Sequence, residues 1–133
     1  MKKSIITTAL LFVFVLSVQS QNLTVDIIQF GTDVENRKIV NADSVFTNSI
    51  ERIYCFTEID GAEQSTTITH VWYYGDLEKA RVELPVNGPN WRTWSSKFIL
   101  ENWTGPWSVE VLDSNGNVLA TKTFRVQDAV ADQ

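Results

Sequence analysis

The sequence predicts an all-β fold: an antiparallel β-sandwich, immunoglobulin-like, of about seven strands, behind a cleaved signal peptide. Three observations predict it. Beyond Ser20 no long run of apolar residues recurs at helical spacing. Short apolar, β-branched and aromatic runs alternate instead with Gly, Asn, Asp and Pro. The last stretch, SVEVLDSNGNVLATKTFRV, reads as two alternating strands around Asn115-Gly116. That dipeptide favours a type I′ turn, because both residues tolerate positive φ. A small β-barrel is the second architecture that would fit.

The first twenty residues stand apart from this pattern. Met1-Lys2-Lys3 is a short positive segment, Ile5 to Val18 is apolar except for Thr7, Thr8 and Ser17, and Val18-Gln19-Ser20 ends in a small residue. This is the layout of a signal peptide cleaved after Ser20. The apolar run is shorter than the ~20 residues of a spanning helix, although an uncleaved N-terminal anchor is the alternative. No cysteine follows it to take a lipid. The destination expected is therefore export, periplasmic or extracellular, with no stable membrane insertion after cleavage.

The rest, Gln21 to Gln133, is 113 residues. That length suits one sandwich domain (21–126) and a flexible tail (127–133), and it buries roughly 65% of its unfolded surface. Nine basic residues against 16 acidic ones leave a net charge near −7. Such a surface gains little from phosphate backbones, so nucleic acid is an unfavoured partner.

The strands follow in order. Leu23 to Phe30 is the first, closed by Gly31 and the polar VENRK turn. Ile39 to Asn48 is looser, with a short edge strand at Ser44 to Thr47. Ile50 to Ile59 ends at Asp60-Gly61. Thr66 to Tyr74 turns at Gly75-Asp76 into Lys79 to Val86. Asn87-Gly88-Pro89 separates that strand from Trp91 to Leu100, and Thr104-Gly105-Pro106 precedes Trp107 to Leu112.

Four of the five tryptophans lie in NWRTWSSKFILENWTGPW, residues 90–107. Strand alternation divides this stretch into two faces. Trp91, Thr93, Ser95, Lys97 and Ile99 share one; Arg92, Trp94, Ser96, Phe98 and Leu100 share the other. The second face reads as the core side, because Trp94, Phe98 and Leu100 are apolar. Trp91 then looks more exposed. Trp72, Trp94 and Trp107 are expected in the core, and Trp91 and Trp103 divide between packing and binding.

Catalytic sets are hard to assemble. His70 is the only histidine and shares a face with Ile68, Trp72 and Tyr74. It reads as a structural residue bonded to a carbonyl or hydroxyl, and it cannot anchor a multi-histidine zinc site. Ser95 or Ser96 could join a Ser-His-Asp set, but no G-x-S-x-G motif accompanies them. Cys55 has no partner for an internal disulfide and reads as a buried small side chain. Glu58, Asp60 and Glu63 in EIDGAE lack the full calcium-loop pattern and read as a solvated turn. No cofactor and no metal are implied. Asn22 and Asn102 head N-x-T triplets, a weak glycosylation pattern.

Together GTDVENRKIV, the Phe46 segment, IERIYCFTEI, THVWYYG, GPNWRTWSSK and WTGPWSVEVLDSNGNVLA resemble the bacterial domain-of-unknown-function family numbered 2914, from about Val25 to Val126. The resemblance implies a small β-rich domain of the bacterial cell envelope, and no activity comes with it. The family's motif positions fall on Arg37, Phe46, Tyr54, Phe56, His70, Trp72, Trp91, Arg92, Trp94, Ser96, Lys97, Trp103, Gly105 and Trp107. Ile39 stands where proline is common.

The candidate ligand-binding residues are Trp91, Arg92, Ser95, Lys97, His70 and Trp103. A planar aromatic, a guanidinium, an ammonium and hydroxyls suit a sugar or an acidic peptide. The leading reading is a non-enzymatic, exported, monomeric domain that binds or scaffolds an envelope protein or glycan. The alternative is a glycan-binding module for peptidoglycan or polysaccharide, using Trp91 and Trp103. A hydrolase or other enzyme is the third reading and would need ionisable groups converging in a pocket.

Overall fold

The computed structural model describes Ala9 and residues 21–129. Apart from Ala9, the expected signal peptide lies outside the described residues, as do the last four residues of the expected tail. Within them the chain is all-β and has no helix. The ten strands are β1 (Thr24–Gly31), β2 (Asp33–Glu35), β3 (Lys38–Val40), β4 (Val45–Thr47), β5 (Arg52–Asp60), β6 (Thr66–Tyr74), β7 (Leu77–Val86), β8 (Trp91–Phe98), β9 (Gly105–Leu112) and β10 (Val118–Gln127). One sheet has the order β1-β5-β8, a second β4-β10-β9-β6-β7, and β2-β3 form a small ribbon. All pairs are antiparallel except β4 with β10. Two facing sheets with a shared apolar interior are consistent with a β-sandwich.

Alternation along the strands explains the interior. On β5, Ile53, Cys55, Thr57 and Ile59 point inward; on β6, Ile68, His70 and Trp72 do; on β9, Trp107, Val109 and Val111 do. Phe30 of β1 meets Trp72 and Phe124 of the opposite sheet, with ring centroids 6.4 and 4.5 Å apart. Trp107 stacks between Tyr74 and Phe124 at 5.0 and 5.9 Å. Trp72 and Trp107 are fully buried, as expected of both. Each removes from water an area that stabilises the fold by up to roughly 4–6 kcal/mol. Cys55 is also buried and unpaired.

Three expectations need correction. The VENRK stretch is more than a turn. It carries the β2–β3 hairpin, whose central residues Asn36 and Arg37 both have positive φ, 50° and 58°. The turn at Asn115-Gly116 is not type I′, since only Gly116 has positive φ, at 83°. Gly116 N donates to Asp113 O, and Asp113 N to Asn117 O, both within 3.1 Å. This is a three-residue loop closed by a left-handed glycine. The Asp113 carboxylate decides the outcome by accepting from Asn115 N and Asn117 N, each at 2.9 Å.

The third correction concerns β8, whose two faces are inverted relative to expectation. Trp94, Phe98 and Leu100 lie outside, 36, 46 and 42% exposed, while Thr93 and Ser95 are buried and Trp91 is half-buried. The reason is chemical. Ser95 Oγ meets the ring nitrogens of His70 and Trp72 in the interior, so the side of the strand that carries it is the one that satisfies the core.

At the chain's end, β10 runs to Gln127, and Ala129 N donates to Asn48 Oδ1 at 2.9 Å.

Candidate functional site

The interior holds two apolar clusters. One gathers Phe30, Phe46, Ile53, Cys55, Trp72, Trp107 and Phe124; the other gathers Leu23, Ile59, Ile68, Val86 and Val111. A polar layer separates them. His70 Nδ1 is 2.7 Å from Ser95 Oγ, and His70 Nε2 is 3.2 Å from Thr57 Oγ1. Trp72 Nε1 donates to Ser95 Oγ at 3.1 Å, and Thr57 Oγ1 donates to the Thr93 carbonyl at 2.8 Å.

The proton positions follow from this inventory. The Thr57 hydroxyl proton goes to Thr93, so Thr57 accepts from His70 Nε2–H. Ser95 accepts from the Trp72 indole and donates its own proton to His70 Nδ1. Every donor then has an acceptor, and His70 is neutral. Burial agrees, lowering its pKa to about 4. The Cys55 thiol is pushed up by burial, with Lys122 opposing. The only histidine and the only cysteine therefore sit inside the core.

One face with room for a ligand is the outer side of the three-stranded sheet. Register pairs Phe56 with Trp94, Glu58 with Arg92 and Tyr54 with Ser96 across β5 and β8. The Phe56 ring is buried beneath this face, and Trp94 lies almost parallel to it, centroids 6.1 Å apart and planes 15° apart. Arg92 donates to the Arg37 carbonyl at 3.1 Å, holding the β2–β3 tip, and its Nε is 3.6 Å from Glu58 Oε1. A part-exposed pair at that distance contributes only about 0–1 kcal/mol. Gly31 permits the close approach of the hairpin, since a Cβ there would sit 2.3 Å from the Val40 carbonyl oxygen.

Between hairpin and sheet lies an open cleft of about 320 Å³, lined by Ile27, Gln29, Arg37, Lys38, Ile39, Phe56 and Arg92. Its floor is apolar and its rim is cationic. That combination suits a ligand with a flat or apolar body and a negative group.

The six residues singled out by sequence fall in different places. His70 and Ser95 are bonded to each other inside the core. Trp91 packs against the second apolar cluster. Arg92 lines the outer cleft. Lys97 and Trp103 meet at the other end of β8, with Lys97 Nζ 5.2 Å from the ring centroid. Sequence reasoning missed Trp94, Phe56, Arg37 and Lys38 as site residues. The one signal that could have found them is the pairing of hydroxyls at Thr93 and Ser95 with a lone histidine. Among the described residues, no group of His, Cys, Asp or Glu side chains is arranged to hold a metal ion.

Residues 65–126 match the model of a family described as "Protein of unknown function (DUF2914)". The match spans β6 to β10; GTDVENRKIV and IERIYCFTEI, which also entered the resemblance, precede it. No curated protein matches the chain.

Proposed function

We propose that this chain, whose residues 65–126 match a family carrying no assigned activity, is a non-enzymatic, exported domain of the bacterial cell envelope. It binds or scaffolds an envelope component through the outer face of β5 and β8. We assign its sandwich to the immunoglobulin-like class, in which β5–β6, β7–β8 and β8–β9 connections cross between two facing sheets. Export is supported by the charge, apolar and small-residue pattern of residues 1–20.

One observation carries the binding reading. Trp94 is laid on buried Phe56 beside a cation-rimmed cleft, while the groups best suited to chemistry, His70 and Cys55, are enclosed. A large ring held rigidly at the surface loses little freedom on binding. Placing a photo-reactive residue at position 94 tests this. Irradiation with envelope fractions is expected to give a discrete adduct that the same residue at Leu77, on exposed β7, does not give. No adduct, or the same adducts from both positions, overturns the proposal.

The exposure of Trp94 also favours a second reading, a glycan-binding module whose stacking ring is Trp94 rather than Trp91 or Trp103. Trp91 is half-buried against the second apolar cluster, and the Trp103 ring already faces two ammonium groups. Retention on peptidoglycan or polysaccharide matrices that Trp94→Ala abolishes supports it. Retention unchanged by Trp94→Ala removes it.

A further inference from the structure

The ion pairs among the described residues are Arg81–Glu78 and Arg92–Glu58. Arg52, Lys79 and Lys97 belong to neither, although the chain carries more acidic than basic residues. Their placement is not scattered. Lys79 lies on β7 and Lys97 on β8, which are outer strands of the two different sheets. Arg52 opens β5 and pairs in register with Phe98. Trp103, in the loop after β8, meets both lysines.

The geometry around that ring is tight. Lys79 Nζ lies 4.9 Å and Lys97 Nζ 5.2 Å from its centroid, so the two ammoniums are within about 10 Å of each other. Arg52 is steered by a 2.8 Å hydrogen bond from its guanidinium to Ser96 Oγ. The ring itself is fixed. Trp103 N donates to the Leu100 carbonyl, its own carbonyl accepts from Trp107 Nε1 at 3.0 Å, and its ring packs on Tyr74 and Trp107.

Two ammoniums held over one ring repel each other, and the ring's negative face offsets this only in part. Lys97 titrates below an ordinary lysine, first through burial and then through Arg52 and Lys79. The neighbouring acids do not relieve the repulsion. Glu78 is taken by Arg81, and Glu51 and Glu101 pair with none of the three. A bound anion would relieve it.

We propose that Lys79 and Lys97, held over Trp103 where the edges of the two sheets meet, form a binding site for a phosphate-type oxyanion. Phosphate fits better than a single carboxylate, because it carries up to two negative charges and offers oxygens enough for both ammoniums. The site is separate from the Trp94 cleft and stands whether or not that cleft binds. The phosphate can come free in solution or on a lipid headgroup.

The test is a titration of the purified chain with inorganic phosphate against chloride at matched ionic strength, following the indole N–H resonances. A saturable shift of Trp103 is expected, with Trp72, whose indole is bonded to Ser95 in the core, unmoved as an internal control of folding. Lys79→Glu gives Lys97 an internal partner and is expected to weaken the response about tenfold or more. Lys79→Gln, which removes one charge without adding another, weakens it less. Co-sedimentation with phosphatidylcholine vesicles containing phosphatidylglycerol is the second arm. Binding there but not to free phosphate, lost in Lys79→Glu, assigns the headgroup; the reverse assigns a soluble phosphate. Silence of Trp103 with phosphate together with no vesicle binding, or a response unchanged by Lys79→Glu in the arm that shows one, overturns the proposal.

Discussion

His70 Nδ1 accepts a hydrogen bond from Ser95 Oγ at 2.7 Å, and this contact joins the five-stranded sheet to the three-stranded one. Thr57, also on the smaller sheet, holds the opposite ring nitrogen. The imidazole is thus a crosspiece between the layers, beside the hydrogen bonds that Trp72 Nε1 makes to Ser95 Oγ and Lys122 Nζ to the Ile28 carbonyl. Its position between two apolar clusters makes it costly to mispair, because an unpaired polar atom there cannot turn to water. It therefore specifies how the sheets sit on each other.

This arrangement predicts a pH dependence of stability. Burial lowers the pKa of His70 to about 4 in the folded chain, from the ordinary 6.5 of an exposed imidazole. Between those values the unfolded chain binds a proton that the folded chain refuses. The stability it protects is full above pH 6.5 and is lost progressively as pH falls to about 4. The gap corresponds to about 3 kcal/mol. Asp113 acts in another window. Hydrogen bonds from Asn117, Asn115 and Gly116 outweigh desolvation and hold its carboxyl below 3.8, so its contribution is lost only at lower pH. Urea unfolding at pH 7, 5.5 and 4 measures the first effect. His70→Gln, whatever its own stability, should flatten the curve in that window; an equally steep curve in the variant contradicts the assignment.

Ser95→Ala should cost about 2–4 kcal/mol, because it orphans two buried groups, the Trp72 indole N–H and His70 Nδ1. Ser96→Ala, one residue along on the outer face, removes only the partner of exposed Arg52 and should cost less than about 1 kcal/mol. Denaturant midpoints of the two variants decide this. Equal losses would contradict the inversion of β8, since the sequence alone had put Ser95 on the outside.

That strand shows where the sequence was legible. The limits of β6, Thr66 to Tyr74, can be read from its β-branched and aromatic run between turn residues. The outward and inward sets of β8 can be separated too, because alternation is local. Which set faces inward cannot, because the polar partners of the Ser95 side chain, His70 and Trp72, lie 25 and 23 residues away. The β2–β3 hairpin was hidden for the same reason. No glycine marks its tip, and Arg37 is held by Arg92, 55 residues distant. At Asp113 a local rule for Asn-Gly gave way to a carboxylate that caps the loop. The outer cleft depends on both misread elements, so the site was less visible than the fold.

Iodide quenching of the tryptophan fluorescence should single out Trp94. It is the one tryptophan with more than a third of its surface open, whereas Trp72 and Trp107 are enclosed. Trp94→Phe should remove most of the quenchable emission, and Trp72→Phe and Trp107→Phe little of it. Free quenching that survives Trp94→Phe and vanishes in Trp91→Phe would restore the opposite orientation of β8.

Arg37 separates stability from binding at the cleft. Its φ of 58° follows that of Asn36 at 50°, as the tip of a two-residue hairpin between Glu35 and Lys38 requires. A side chain in that region costs roughly 1 kcal/mol that glycine escapes. Arg37→Gly and Arg37→Ala both delete the guanidinium from the rim, and both keep the carbonyl that Arg92 grips. Only the glycine relieves the backbone. Arg37→Gly should therefore unfold at a higher urea midpoint than Arg37→Ala, by roughly 1 kcal/mol offset in part by the greater freedom of glycine in the unfolded chain. Both should weaken adduct formation at position 94 to the same degree if the rim cation contributes to binding. A difference in adduct yield that follows the midpoints would instead mean that the hairpin acts through its position and not through its charge.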